Sequence, residues 1–231
     1  MNKRRHTAFT MLELIMVIVV LGILAAVGIP RLDSDVRQQA GDNILSAIRY
    51  TQHLALMDDK TDPRNPTGQP WQRSLWHIRF AQYTEDGTTK WFYTISSSRD
   101  GDNNVDLNEV ASDPRSGQPM YHLAGSSTIG ANESRDIFLG KNYGITVIDF
   151  TACDTPVGAV GTSGTAVQHI AFDHLGRPHR GIYNTANNYA TLMHGDCTIR
   201  FRFLDYPDVP DMLVTIEQQT GHAFIVGQPD S

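Results

Sequence analysis

The chain has 231 residues, room for one medium domain and an anchoring segment. Its 19 Lys and Arg against 25 Asp and Glu leave a formal charge of −6, which argues against bulk nucleic-acid binding. Two cysteines, Cys153 and Cys197, without CxxC spacing exclude a small disulfide scaffold; they are one bridge or two separate thiols.

Met1 to Ala8 form a short basic stretch with Lys3, Arg4 and Arg5. From Phe9 to Pro30 run 22 residues with a single charge, Glu13, and the uncharged part from Leu14 to Pro30 is 17 residues. That length is near the lower limit for a bilayer span. Basic residues ahead of it place the first residues in the cytoplasm by the positive-inside bias. An ordinary secretory signal also opens on a basic region and an apolar run. Here, however, Leu24-Ala25-Ala26 is a weak cleavage site that leads into more apolar sequence. Glu13, moreover, stands inside the apolar segment. A charge deep in a bilayer helix costs about 2.5–3.5 kcal/mol on insertion scales. Glu13 therefore either lies close enough to the interface to reach headgroups or pairs with a cation of another chain.

The string Ala8-Phe9-Thr10-Met11-Leu12-Glu13-Leu14 resembles the class III leader and helix start of type IV pilins and pseudopilins. The resemblance covers about the first thirty residues. It implies cleavage between Ala8 and Phe9, methylation of the new amino terminus, and an assembly role for Glu13 at the fifth mature position. Gly22 and Pro30 match helix-loosening positions of the family. Ala8 departs from it, because the family usually has Gly there. The implied partners are other pilin or pseudopilin subunits, a prepilin peptidase and, before assembly, the inner membrane. The implied location is a single-pass inner-membrane protein with a periplasmic head, then a periplasmic or cell-surface filament. Physics agrees with that role. The freed Phe9 amine is a cation at a helix N-terminus, and an incoming Glu13 neutralises it where an unpaired charge is heavily penalised.

Past Pro30 the apolar residues Leu32, Val36, Ala40, Ile44 and Ile48 recur every four positions, joined by Leu45, Ala47, Leu54 and Ala55. This spacing predicts an amphipathic helix, with Arg31, Asp35, Arg37, Asp42 and Arg49 off its apolar stripe. Phe9 to about Met57 then makes one rod of about 70 Å, with a kink expected at Pro30 and a soft point at Gly22. The helix ends before Asp58-Asp59-Lys60-Thr61-Asp62-Pro63, and a proline-rich loop follows. The organisation is thus a leader at 1–8, a transmembrane and polymerisation half-helix at 9–30, an amphipathic half at 31–58, and a head at 59–231.

The head reads as strands without helices. Trp76, Ile78 and Phe80 alternate with His77 and Arg79; Trp91 to Ile95 is aromatic and β-branched; Tyr143 to Phe150 is a further candidate. Cys197, Ile199, Phe201 and Phe203 alternate with Thr198, Arg200 and Arg202, and Val214–Glu217 and His222–Val226 flank a turn containing Gly221. The predicted class is α+β, a long N-terminal helix with an antiparallel β-sheet head. Phe172 to Arg177 followed by the late hairpin is similar to the end of the H/FimT-like group of minor pseudopilins. The oxidising compartment that the family resemblance implies favours a Cys153–Cys197 bridge, worth about 3–4 kcal/mol on the chain-entropy account.

Asp100, Asp102, Asn104 and Asp106 offer oxygen ligands at alternate positions, and Glu109 could close a shell around calcium. The run resembles the front half of an EF-hand loop, but Val105 replaces the turn glycine and Ala111 stands where the last Glu belongs. Its alternative is a polar surface turn. Gly176-Arg177-Pro178-His179-Arg180 is similar to the arginine motifs of DNA-uptake minor pilins, although on an acidic chain a solvated turn is the better reading. There is no HExxH, GxSxG or phosphate-cradling loop, so neither an enzyme nor an organic cofactor is expected. The leading expectation is a structural or assembly subunit of a type IV pilus or type II secretion filament. The alternative is a tip-binding module recognising a surface, a secretion substrate or DNA.

Overall fold

The computed structural model describes residues 11–60, 71–98, 105–153, 168–181 and 189–228, with the side chains of residues 25–35 and of Arg73 outside that description. One helix, α1, runs unbroken from Met11 to Leu56, 46 residues, through Gly22 and Pro30. At 1.5 Å per residue it spans about 70 Å.

The second half of α1 is the central element of the head. Ala40, Ile44, Leu45, Ala47, Ile48 and Ala55 are buried, as the four-residue spacing requires, while Asp42 and Arg49 stay exposed. Burying each of the larger side chains contributes about 1.5–3 kcal/mol. The buried hydroxyl of Thr51 donates to the Ala47 carbonyl at 2.8 Å, so the face carries no orphaned donor there. Gly41 lets the helix come close to the sheet beneath it. A Cβ at that position would lie 2.6 Å from Ile225 Cδ1 and 3.2 Å from Met212 Sδ.

Two four-stranded antiparallel sheets share this helix. In the first, β1 (Trp76–Glu85) pairs with β2 (Thr88–Ser96) and β4 (His169–Phe172), and β4 pairs with β5 (Pro178–His179). In the second the order is β3 (Val147–Ala152), β6 (Cys197–Arg202), β7 (Met212–Ile216) and β8 (Ala223–Ile225). Phe80 of the first sheet meets Phe150 and Phe201 of the second at ring separations of 5.9 and 5.8 Å, which places the core between the sheets. The α+β class is as the alternation of residues predicts.

Two local expectations are corrected. The head is not free of helix, because α2 occupies Leu139–Tyr143. That turn takes the first residues of the expected 143–150 strand, and Gly144 ends it in the left-handed conformation at φ 66°. The strand itself starts only at Val147. The β1–β2 connection is a hairpin turned by Asp86 and Gly87 at φ 51° and 74°, the geometry that an Asp-Gly pair favours. β4 and β5 pair on either side of the turn at 173–177.

Candidate functional site

The first half of α1 is chemically unlike the second. Every residue from 11 to 24 is exposed. Apart from Glu13 and Gly22 these are all large hydrophobics, 46–87 % exposed. A continuous exposed apolar surface of this length is not what a soluble monomer presents; it marks a surface that lipid or protein covers. Glu13 stands in the first turn of the helix, where a carboxylate complements the partial positive charge of the helix N-terminus. Gly22 has open space around it, since a Cβ there would meet nothing within 4 Å. Ala8 and Phe9 lie outside the described residues, as does the side chain of Pro30. Among the described residues no helix is long and apolar enough to cross a membrane. The expected span from Leu14 to Pro30 runs beyond Leu24 into residues whose side chains are not described.

A class III leader ahead of such a helix would decide what covers it. The chain matches the family model for the prokaryotic N-terminal methylation motif over residues 3–29. Its N-terminus is that of a type IV pilin-like protein. The motif carries the leader, and it implies membrane anchoring before filament assembly, with prepilin peptidase and other pilin subunits as the general kinds of partner. It points to a structural subunit. The match leaves the head uncovered, and no curated protein and no solved structure matches the chain.

The remaining candidate residues fall partly within the fold and partly outside the described residues. Asp100, Asp102 and Asn104 lie outside the described residues. Asp106 and Glu109 cap a 3₁₀ turn at Leu107–Glu109, and Glu109, only 5 % exposed, takes the Asp106 backbone N–H on its Oε2 at 3.1 Å. Among the described residues no group of His, Cys, Asp and Glu could hold a metal ion. Cys153 and Cys197 are disulfide-bonded. Because Ala152 pairs with Thr198, the bridge falls on the next rung and closes the end of the β3–β6 ladder.

The basic turn is only partly solvated, because Arg180 is buried and the half-exposed Arg177 is held against Asp173. Arg177 donates from Nε to Asp173 Oδ2 at 2.8 Å, and a second guanidinium nitrogen lies 2.7 Å from the same oxygen. Arg180 is 2 % exposed, its guanidinium 4.9 Å above the Phe150 ring and 3.9 Å from Cys197 Sγ. His179 bridges Thr191 Oγ1 at 2.9 Å and Asp173 Oδ2 at 3.4 Å. Burial opposes ionisation of Asp173, but the hydrogen bonds from His179 and Arg177 outweigh it and hold the carboxyl well below its usual range. Asp173, His179 and Thr191 have the order of an Asp–His–hydroxyl relay, yet all three are fully buried and serve the turn between β4 and β5. The sequence signal for this network is the density of polar residues from Asp173 to Arg180.

Proposed function

We propose that the protein is a subunit of a type IV pilus or type II secretion filament, docking through α1 with Glu13 paired to the Phe9 amine of a neighbouring subunit. The observation that carries the reading is the division of one helix into two halves. Residues 40–55 bury their apolar face in the protein's own head, whereas residues 11–24 leave theirs to another surface. Before assembly that surface is the inner membrane, crossed once by the first half-helix with the head on the periplasmic side. In the filament it is the helices of neighbouring subunits. Glu13 costs insertion energy in lipid and recovers it only where a cation meets it, so it favours one axial offset between adjacent helices.

Glu13→Ala tests the pairing. The variant should insert, fold its head and reach wild-type abundance in the membrane, yet be lost from sheared filaments. Wild-type incorporation of the variant would remove Glu13 from the docking step. Leader removal is tested separately: the intact mass of membrane-extracted protein should correspond to a chain beginning at methylated Phe9. A chain beginning near Ala26, or an uncleaved Met1, contradicts the processing assigned to Ala8 and Phe9.

The same reading keeps calcium as a ligand of the loop from Asp100 to Glu109. Glu109 Oε2 is already engaged, so the ligands would come chiefly from Asp100, Asp102, Asn104 and Asp106. Calcium should then raise the melting temperature of the wild-type protein and leave the Asp100→Ala, Asp102→Ala double variant unmoved. A wild-type melt indifferent to calcium reduces the loop to a surface turn.

A further inference from the structure

A cavity of about 550 Å³ opens between the second half of α1, the β2 strand and the segments around Asp113 and Asp136. It is of the size that small groups occupy, and its chemistry is uneven. Three aromatic rings, Tyr50, Tyr93 and Tyr143, line it together with three carboxylates, Asp42, Asp113 and Asp136, against one guanidinium, Arg115. That leaves two negative charges uncompensated within the lining.

The hydrogen-bonding groups are unbalanced in the same direction. Tyr50 spends its hydroxyl proton on the Ser112 carbonyl at 2.9 Å. Asn43 turns its amide nitrogen to the Asp136 carbonyl at 3.2 Å, and its Oδ1 is buried with no hydrogen-bond partner among the described residues. Asp113 is 4 % exposed and fixed by Ser134 Oγ at 2.7 Å, Ser116 Oγ at 2.9 Å and the Arg115 N–H at 2.8 Å. Burial works against that charge, but these bonds keep the carboxyl below its usual range, hence ionised. The field of the carboxylates reaches every ring. Burial first, and then neighbouring aspartates, push the hydroxyls of Tyr50, Tyr93 and Tyr143 upward.

What such a cavity complements is a flat cation that donates hydrogen bonds and accepts none. A guanidinium stacks on aromatic faces and offers a fork of donors to carboxylates; an ammonium lacks the plane. The protein already supplies one instance, since Arg115, on the exposed rim, pairs with Asp136. We propose that this cavity is a receptor site for an arginyl side chain presented by a partner polypeptide. The site lies on the head, apart from the first half of α1, so it stands or falls independently of filament docking through Glu13.

The probe is N-acetyl-arginine methylamide, titrated into the full-length protein in detergent micelles with its tyrosines labelled for NMR. Saturable shifts are expected at Tyr50, Tyr93 and Tyr143 in the millimolar range. The uncharged citrulline analogue should produce none, and the lysine analogue should bind more weakly. Asp42 is exposed and not part of the core, so Asp42→Asn should leave the spectrum folded and weaken binding about three- to fivefold, the scale of one partly solvated charge pair. A second variant, Tyr143→Leu, should weaken it as well while leaving the Asp113 hydrogen bonds in place. Absence of saturable shifts at these rings, equal binding of citrulline or lysine analogue, or unchanged affinity in both variants would overturn the assignment.

Discussion

His77 on β1 and His169 on β4 are both buried, their ring centroids 6.0 Å apart, and Arg79, Glu109 and Arg180 are the charges that reach them. Burial is the main cause that lowers His77 to about 4; Arg79 adds to it, and a hydrogen bond with the Leu75 carbonyl and the charge of Glu109 oppose it. His169 is pushed well below its ordinary value by burial, then by His77, Arg180 and Arg79. The unfolded chain takes up these protons near pH 6.5, whereas the folded protein refuses them until about pH 4 at His77. Stability is therefore complete above about 6.5 and falls as the pH drops through that window, by on the order of 3 kcal/mol for His77 alone. Asp173 extends the loss below about pH 3.9, because its depressed carboxyl stays ionised in the fold after the unfolded chain has protonated. Melting temperatures taken from pH 7 to 4.5 should decline, and His77→Gln should flatten the curve even if its plateau is lower. A wild-type melt constant over that range would mean that these imidazoles are protonated in the fold. None of this was legible in the sequence. A histidine alternating with apolar residues predicts the solvent face of a strand, and only the second covered face of the first sheet turns it inward.

α1 shows which sequence signals survive folding. Its length and the four-residue stripe were legible because an unbroken apolar run in the first half and a four-residue period in the second are both stated by one chain itself. The turns around its C-terminal end were not, because they depend on distant backbone. Gln52 donates from Nε2 to the Gly176 carbonyl at 2.9 Å and to the Thr220 carbonyl at 2.7 Å, tying the helix to two loops. Gly221 lies among them at φ 67°, and a Cβ there would collide with the Gly176 carbonyl oxygen and come within 2.6 Å of Gln52 Nε2. The Gly221 hairpin was expected from sequence; its close approach to the 173–177 turn was not. Gly221→Ala should cost about 2–3 kcal/mol through the left-handed backbone and the displaced contacts. Gly195→Ala, where a Cβ meets nothing within 4 Å, is the control and should change stability by no more than about 0.5 kcal/mol. Urea midpoints of the two variants compare them directly. Equal midpoints would mean that the turns move apart without cost.

At the scale of the whole molecule, the head is two sheets held by one half-helix, and the second sheet carries the covalent tie. The leader was readable because a basic stretch runs directly into an apolar helix, whereas pairing Cys153 with Cys197 rested on the implied compartment. The ladder supplies the geometric reason: the register of β3 against β6 sets the two cysteines opposite each other at its end. The 44-residue separation makes the bridge a constraint chiefly on the unfolded chain, worth about 3–4 kcal/mol. Cys153→Ser with Cys197→Ser should therefore lower unfolding stability by about that amount while preserving the native spectrum, since Ile199, Phe201, Val214 and Ile216 keep the core of the second sheet. Reduction of the wild-type protein should reproduce the loss. Arg180 modifies the expectation in one direction, because it approaches Cys197 Sγ from within the core and a serine leaves that guanidinium a better acceptor than sulfur. The double-serine variant should thus be no less stable than the reduced wild type, and a denaturant titration of both reads the difference. If the variant instead loses its tertiary spectrum under native conditions, the bridge is a condition for assembling the two sheets, not a staple added to a core that stands without it.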